Sequence, residues 1–340
     1  MTPLRPIDWT TPFGQPATEL SWSPDGQWIA VGGVEGRIAI FETTSGRLAH
    51  SWDAHPGGLF HCAFAPRTGL LASSGQDGQV RLWDGFTGKP ANSLAMGSSW
   101  VEQMAWSSDG QWLAVAAGRN LRLWNPASGE VHEAPPAKTT LSALSWHATR
   151  TEVAVARFGG VDIWSAEKAE LLSTLPWKTS LISVAWSPDG RWMVAGTQEL
   201  SVQIWQLPFR PESELAMSGY AAKVRQLAWH ASSRYLATGG GTEVMVWDCG
   251  GKGPEGTAPR ILTGHVGKLT TLAYQKNGHL LASGAEDGRV LLWNAGKSSE
   301  ALRQHRLGET VTALAWDPSD NRLAIGTHEG EVGMVTVPRI

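Results

Sequence analysis

His55, Ser73 and Asp77 are the residue types of a nucleophilic relay, in which a carboxylate orients an imidazole and the imidazole takes a hydroxyl proton. The chain repeats the set as His265, Ser283 and Asp287, at identical spacing, and each set ends on a Trp ten residues after the Ser, at Trp83 and Trp293. The whole set, indole included, is duplicated, and polar groups of these types, if buried, need one another as hydrogen-bond partners. A second constellation is His50, His55, His61 and Cys62, which could suggest a metal site. Neighbours along a strand point to opposite faces, so His61 and Cys62 cannot readily share one ion. The chain has no GxxxxGK[ST] phosphate loop, HExxH, CxxC, EF-hand spacing or GxSxG elbow, so neither cofactor nor metal nor enzyme activity is expected.

The elements that must position these side chains recur. Trp22, Phe64, Trp106, Trp146, Trp186, Trp229, Tyr274 and Trp316 each anchor a similar segment, and successive anchors lie 42, 42, 40, 40, 43, 45 and 42 residues apart. A repeat of that length is one supersecondary unit that cannot bury its apolar faces alone. In LLASGAEDGRVLLWN (280–294) two apolar runs flank an Asp-Gly turn, the mark of a β-hairpin, and LLASSGQDGQVRLWD (70–84) repeats it. Turns of the type SPDG, at 23–26 and 187–190, join each anchor strand to the next run. A weaker fourth run follows, as at 47–52, 170–175 and 260–263, and no unit holds an amphipathic stretch long enough for two helices.

At these residues the chain resembles the WD-repeat (WD40) family, over almost its whole length. The resemblance implies an all-β chain forming a single β-propeller domain over 1–340. Eight anchors predict eight blades, with seven the alternative, although the first unit has Phe41 and the last Val335 where a third-strand Trp is expected. The last unit reaches only three strands (331–337 being the third), so the segment Arg5 to Thr11 is expected to complete it and cover two exposed sheet edges. The same resemblance reads His55, Ser73, Asp77 and Trp83, and His265, Ser283, Asp287 and Trp293, as structural tetrads. Six units lack at least two members, with Met96, Ala137, Trp177 or Tyr220 in place of the His, so stability is expected to be uneven around the ring.

In the similar β subunit of heterotrimeric G proteins, partners are held on the face made by the loops entering each anchor strand and by the hairpin turns. Three positions per unit, six and four residues before the anchor and just before the turn acid, project there. In this chain they include Phe60, Trp100, Glu102, Phe158 and Ile182, beside a basic arc of Lys223, Arg225 and Lys268. Aromatic side chains beside basic ones suit a peptide or protein hot spot. On the opposite face Phe209 and Arg210, in the loop 206–214, form a secondary candidate.

Composition fits this reading. With 42% hydrophobic residues, 39 Gly and 19 Trp, the chain can bury much surface between stacked units. Most Trp occupy anchors or third-strand ends, where truncation to Ala should cost roughly 3–5 kcal/mol. A net charge of −3 carries no footprint for nucleic acid, and no segment approaches a membrane span. The N-terminus lacks the apolar core of a secretory signal. Two cysteines four units apart, Cys62 and Cys249, cannot pair and fit a reducing cytoplasm. The expected role is a non-catalytic scaffold, monomeric on its own, that presents a face to one or more proteins or peptides. The alternatives are a small-ligand or enzymatic site in the central channel, and a reader of nucleic acid or histone tails.

Overall fold

Each repeat turns apolar runs into strands because its turns are closed by side chains as well as by backbone. In the turn at 23–26 Ser23 Oγ donates to Asp25 Oδ1 (2.5 Å) and accepts from the Trp28 N–H (3.0 Å), while Gly26 takes a φ of +69° that a side chain would resist. The pattern recurs at Ser107–Asp109 (2.6 Å) and Ser187–Asp189 (2.6 Å). The computed structural model describes residues 2–3, 6–211 and 214–337, with the side chains of 2–3 excepted. Arg5 of the closing segment, and Glu212 and Ser213 of the loop 206–214, lie outside the described residues.

A complete unit is a four-stranded antiparallel sheet, as in Leu59–Phe64, Leu70–Gly75, Gln79–Asp84 and Pro90–Ala95. The first strands of successive units touch one another around the whole molecule, including Val311–Trp316 against Ala17–Trp22, so they form the inner ring. Fourth strands lie outermost, Pro90–Ala95 almost wholly exposed and Ala301–Arg306 mostly half-buried. The core sits between sheets: Ala72, Val80 and Leu82 of one unit pack on Leu113, Val115 and Trp124 of the next. Each large apolar side chain so buried contributes about 1.5–3 kcal/mol. No helix among the described residues is long and apolar enough to cross a membrane.

Counted as hydrogen-bonded sheets, the ring has seven blades, which corrects the expectation of eight. The fourth and fifth repeats share one six-stranded sheet. Its 14-residue strand Glu152–Ser165 doubles back at Gly159 (φ +93°) and Gly160 (φ +140°), as the Ala166 N–H to Thr151 O bond (2.8 Å) shows. The 17-residue strand Glu170–Trp186 then runs from the outer edge of the fourth repeat into the inner strand of the fifth. The incoming loops of repeats two, three, six, seven and eight contain glycine, at Gly57, Gly97, Gly219, Gly264 and Gly308, and break the strand there. The loop of repeat four has no glycine but carries the Pro135-Pro136 pair, and its strand also breaks; between Glu170 and Trp186 there is neither a glycine nor a proline pair, and the strand runs through.

The last sheet takes its outer strand from the other end of the chain. Trp9–Pro12 pairs antiparallel with Glu331–Thr336, Trp9 opposite Met334 and Pro12 opposite Glu331. Thr2–Pro3 lies parallel along the outer strand Ala301–Arg306 of the neighbouring sheet.

Candidate functional site

In repeats two, three and four the incoming loop is tied down on the hairpin turn of the repeat before it. His55 and Ala54 N–H groups both reach Gly36 O (3.1 and 2.8 Å), Met96 N–H reaches Gly78 O (2.8 Å) and Ala137 N–H reaches Arg119 O (2.9 Å). Loops and hairpins therefore build one continuous face. The two Ser-His-Asp sets lie just beneath it.

In the second repeat Trp83 Nε1 donates to Ser73 Oγ (2.8 Å), Ser73 Oγ is 2.8 Å from His55 Nε2, and His55 Nδ1 is 2.9 Å from Asp77 Oδ1. The seventh repeat has the same chain: Trp293 to Ser283 2.8 Å, Ser283 to His265 2.8 Å, and His265 to Asp287 3.2 Å. Burial pushes both imidazoles below the usual histidine value, with the aspartates only partly offsetting it. Burial alone would raise the aspartates. Asp77 is nonetheless held low by hydrogen bonds from His55 and Arg81, and Asp287 by the Val266 and Arg289 backbone N–H groups and by His265. A neutral imidazole beside a carboxylate donates from Nδ1, so Nε2 accepts the Ser hydroxyl proton and the Ser oxygen receives the indole N–H. Chemically this is a relay, yet Ser73 and Ser283 are 0% exposed, and no substrate atom can reach either hydroxyl.

Reading by residue identity misses a third relay. In the sixth repeat Trp247 Nε1 donates to Tyr220 Oη (2.9 Å), which is 2.7 Å from Thr238 Oγ1. Tyr220 stands at the His position and Thr238 at the Ser position, so the signal was hydroxyl chemistry rather than the letters. Burial raises the Tyr220 phenol to about 12, keeping it protonated. In the fifth repeat the partners are gone, and the indole N–H groups of Trp177 and Trp205 are buried without acceptors.

On the face itself Trp100 is 52% exposed, with its ring 5.9 Å from that of Phe60 at 43°. The Glu102 carbonyl accepts from His61 Nε2 (3.0 Å), and His61 Nδ1 lies 3.4 Å from Glu19 on the next inner strand. Burial alone would lower the His61 imidazole, but Glu19 raises it above the usual value. Phe158 is 53% exposed at the fourth hairpin, Ile182 is half-buried, and Lys223, Arg225 and Lys268 are exposed. On the opposite side Phe209 packs on the core of the fused sheet while Arg210 is exposed. His50 lies on an exposed outer strand, and Cys62 is buried with its thiol pushed well above the usual value by desolvation. Among the described residues no three His, Cys, Asp or Glu side chains group as metal ligands.

Comparison with known proteins gives matches to the family described as WD domain, G-beta repeat, at residues 46–84, 88–125, 169–206, 212–248 and 256–294. The family described as anaphase-promoting complex subunit 4 WD40 domain matches 9–62. Telomerase protein component 1 of Rattus norvegicus is 24% identical over 94% of this chain and 11% of its own length. Cell division cycle 20.1, cofactor of APC complex, of Arabidopsis thaliana is 30% identical over 43% of this chain and 32% of its own length. Protein HIR1 of Cryptococcus neoformans is 30% identical over 43% of this chain and 19% of its own. The chain thus spans about a tenth to a third of the relatives it matches. The crystal structure of the computationally designed Ika8 protein superposes with a TM-score of 0.82, covering 96% of this chain and 98% of that one at 22% identity, a likeness of fold.

Proposed function

The chain belongs to the WD-repeat family, whose repeats match more than half of it, and on that footing we propose that it is a non-catalytic platform holding a partner protein or peptide on the loop-and-hairpin face around Trp100. One relative is itself named as a cofactor of a complex, which supports a role through partners. The observation that carries the reading is the exposed Trp100, whose ring lies against that of half-buried Phe60. A large aromatic left half in water has no packing role to explain it, and Trp is the residue most enriched at binding hot spots. Lys223, Arg225 and Lys268 would steer an acidic partner toward the face. A reducing compartment such as the cytoplasm suits the two free, buried cysteines.

Replacing Trp100 by Ala tests this directly. Truncating a hot-spot Trp costs about 2 kcal/mol or more, so native partners should be captured roughly thirtyfold less well at 1.4 kcal/mol per tenfold. The melting temperature should barely change. Full recovery of partners by the variant would move the binding site elsewhere, and a large fall in melting temperature would show that Trp100 is packing.

A further inference from the structure

The fourth repeat keeps the terminal Trp of the relay and has lost everything that should reach it. Ala137 stands at the His position, Val155 at the Ser position and Gly159 at the turn acid. Where an imidazole would sit there is instead a cavity of about 250 Å³, with Ala137, Val155 and Trp164 among its walls. Cavities of about 150 Å³ already admit benzene. Half-buried Trp164 lines the cavity and its Nε1 makes no hydrogen bond within the described residues, so the indole N–H is free to donate to a bound group. The Ala137 N–H to Arg119 O bond seats the incoming loop on the preceding hairpin and places the mouth on the same face as Trp100.

The rim is basic. Arg119, Lys138 and Arg157 line it, and Arg157 is neutralised by Asp162 at 2.6 and 2.8 Å. Neither Arg119 nor Lys138 has an ion-pair partner among the described residues. The molecule also contains the answer to what fits. In the sixth repeat the equivalent position is filled by Tyr220, 6% exposed, whose phenol oxygen accepts the Trp247 indole N–H at 2.9 Å.

We propose that the cavity of the fourth repeat binds the side chain of a tyrosine carried by an acidic peptide segment of a partner, the phenol oxygen accepting from Trp164 as Tyr220 accepts from Trp247, and flanking carboxylates meeting Arg119 and Lys138. The proposal rests on the reading of this face as a partner-binding surface and places a second, separate subsite on it. The probe is the pentapeptide acetyl-Asp-Glu-Tyr-Glu-Asp-amide, titrated calorimetrically into the full chain. The same peptide with lysines in place of its four acids is the control.

Ala137→Tyr fills the cavity from within and should lose the acidic peptide by tenfold or more, with a melting temperature at or above wild type. Arg119→Glu with Lys138→Glu should weaken it tenfold or more, and the basic control should bind wild type at least tenfold more weakly than the acidic peptide. Ala137→Leu serves as the filling variant if Ala137→Tyr does not fold. Undetectable binding of the acidic peptide to wild type, equal binding to the filled variant, or equal binding of the basic peptide each overturns the proposal. Trp100→Ala keeps the cavity and should retain the peptide within threefold, so loss of native partners in that variant and loss of the peptide in Ala137→Tyr report on different sites; joint loss of the peptide in both overturns the separate subsite.

Discussion

Ser73 and Ser283 have the neighbours of a nucleophile and the surroundings of a strut. Each hydroxyl is enclosed between an imidazole and an indole, 2.8 Å from either, with 0% exposure. What the relay supplies is satisfaction of buried polar groups across an incoming loop and two strands. Asp287 accepts from Val266 N–H (2.8 Å) and Arg289 N–H (3.0 Å) as well as orienting His265. Asp287→Ala strands those donors, so it should destabilise the fold by about 1–3 kcal/mol. Glu35, at the same position in the first repeat, is exposed, and Glu35→Ala should change little. Denaturant titration of both variants decides it, and equal losses would refute the relay as a structural element. The two His-containing relays were readable because the same letters recur at the same offsets. Tyr220–Thr238–Trp247 was not, because a phenol and a Thr hydroxyl satisfy the same indole with different residues in a different order, Trp247 donating to the residue at the His position, and an identity match cannot see such a substitution of donors and acceptors.

At the scale of strands, the anchor Trp does more than pack. Trp22, Trp106, Trp146 and Trp316 each donate an indole N–H to the carbonyl just before the anchor of the preceding repeat, Ala315, Ala63, Ala105 and Ala273, at 3.0, 3.0, 2.8 and 3.0 Å. Four sheets are thus pinned to their neighbours near the inner ring. Around the fifth repeat the pins fail: Trp186 and Trp229 Nε1 are buried without an acceptor. Phe in place of Trp106 loses a hydrogen bond that Phe in place of Trp186 does not, so Trp106→Phe should cost about 0.5–1.5 kcal/mol more than Trp186→Phe. Equal costs in denaturant titrations would show that the pins contribute nothing. The strands and hairpins were legible from alternation, Asp-Gly turns and the anchor period. The fused sheet was not, since it depends on what is missing between Glu170 and Trp186, where neither a glycine nor a proline pair interrupts the strand, and that omission leaves the repeat count unchanged.

The ring closes through one short strand and three bridging side chains, Trp9, Thr11 and Arg322. Trp9–Pro12 completes the last sheet, and from that strand Trp9 Nε1 reaches across to Thr43 O (2.9 Å) while Thr11 Oγ1 reaches Gly46 O (2.8 Å), both in the outer turn of the first repeat. Arg322 braces the same junction from the last repeat, donating to Thr43 Oγ1 (2.9 Å) and Gly26 O (2.8 Å) with its guanidinium 4.9 Å over the Trp22 ring. Closure therefore satisfies an edge and couples the first sheet to the last, which lets stability be shared around the ring. Removal of residues 1–12 should expose Glu331–Thr336 as an unpaired edge and strip the Trp9 bridge, while leaving the inner contact of Trp22 with Ala315 intact. The truncated chain should melt well below the full-length one and aggregate in a concentration-dependent way. Adding a synthetic peptide of residues 1–16 should raise its melting temperature, because the lost strand is supplied in trans. Thermal scans at several concentrations, with and without the peptide, read both effects. A truncated chain that melts like the full-length one would mean that the ring does not depend on this strand.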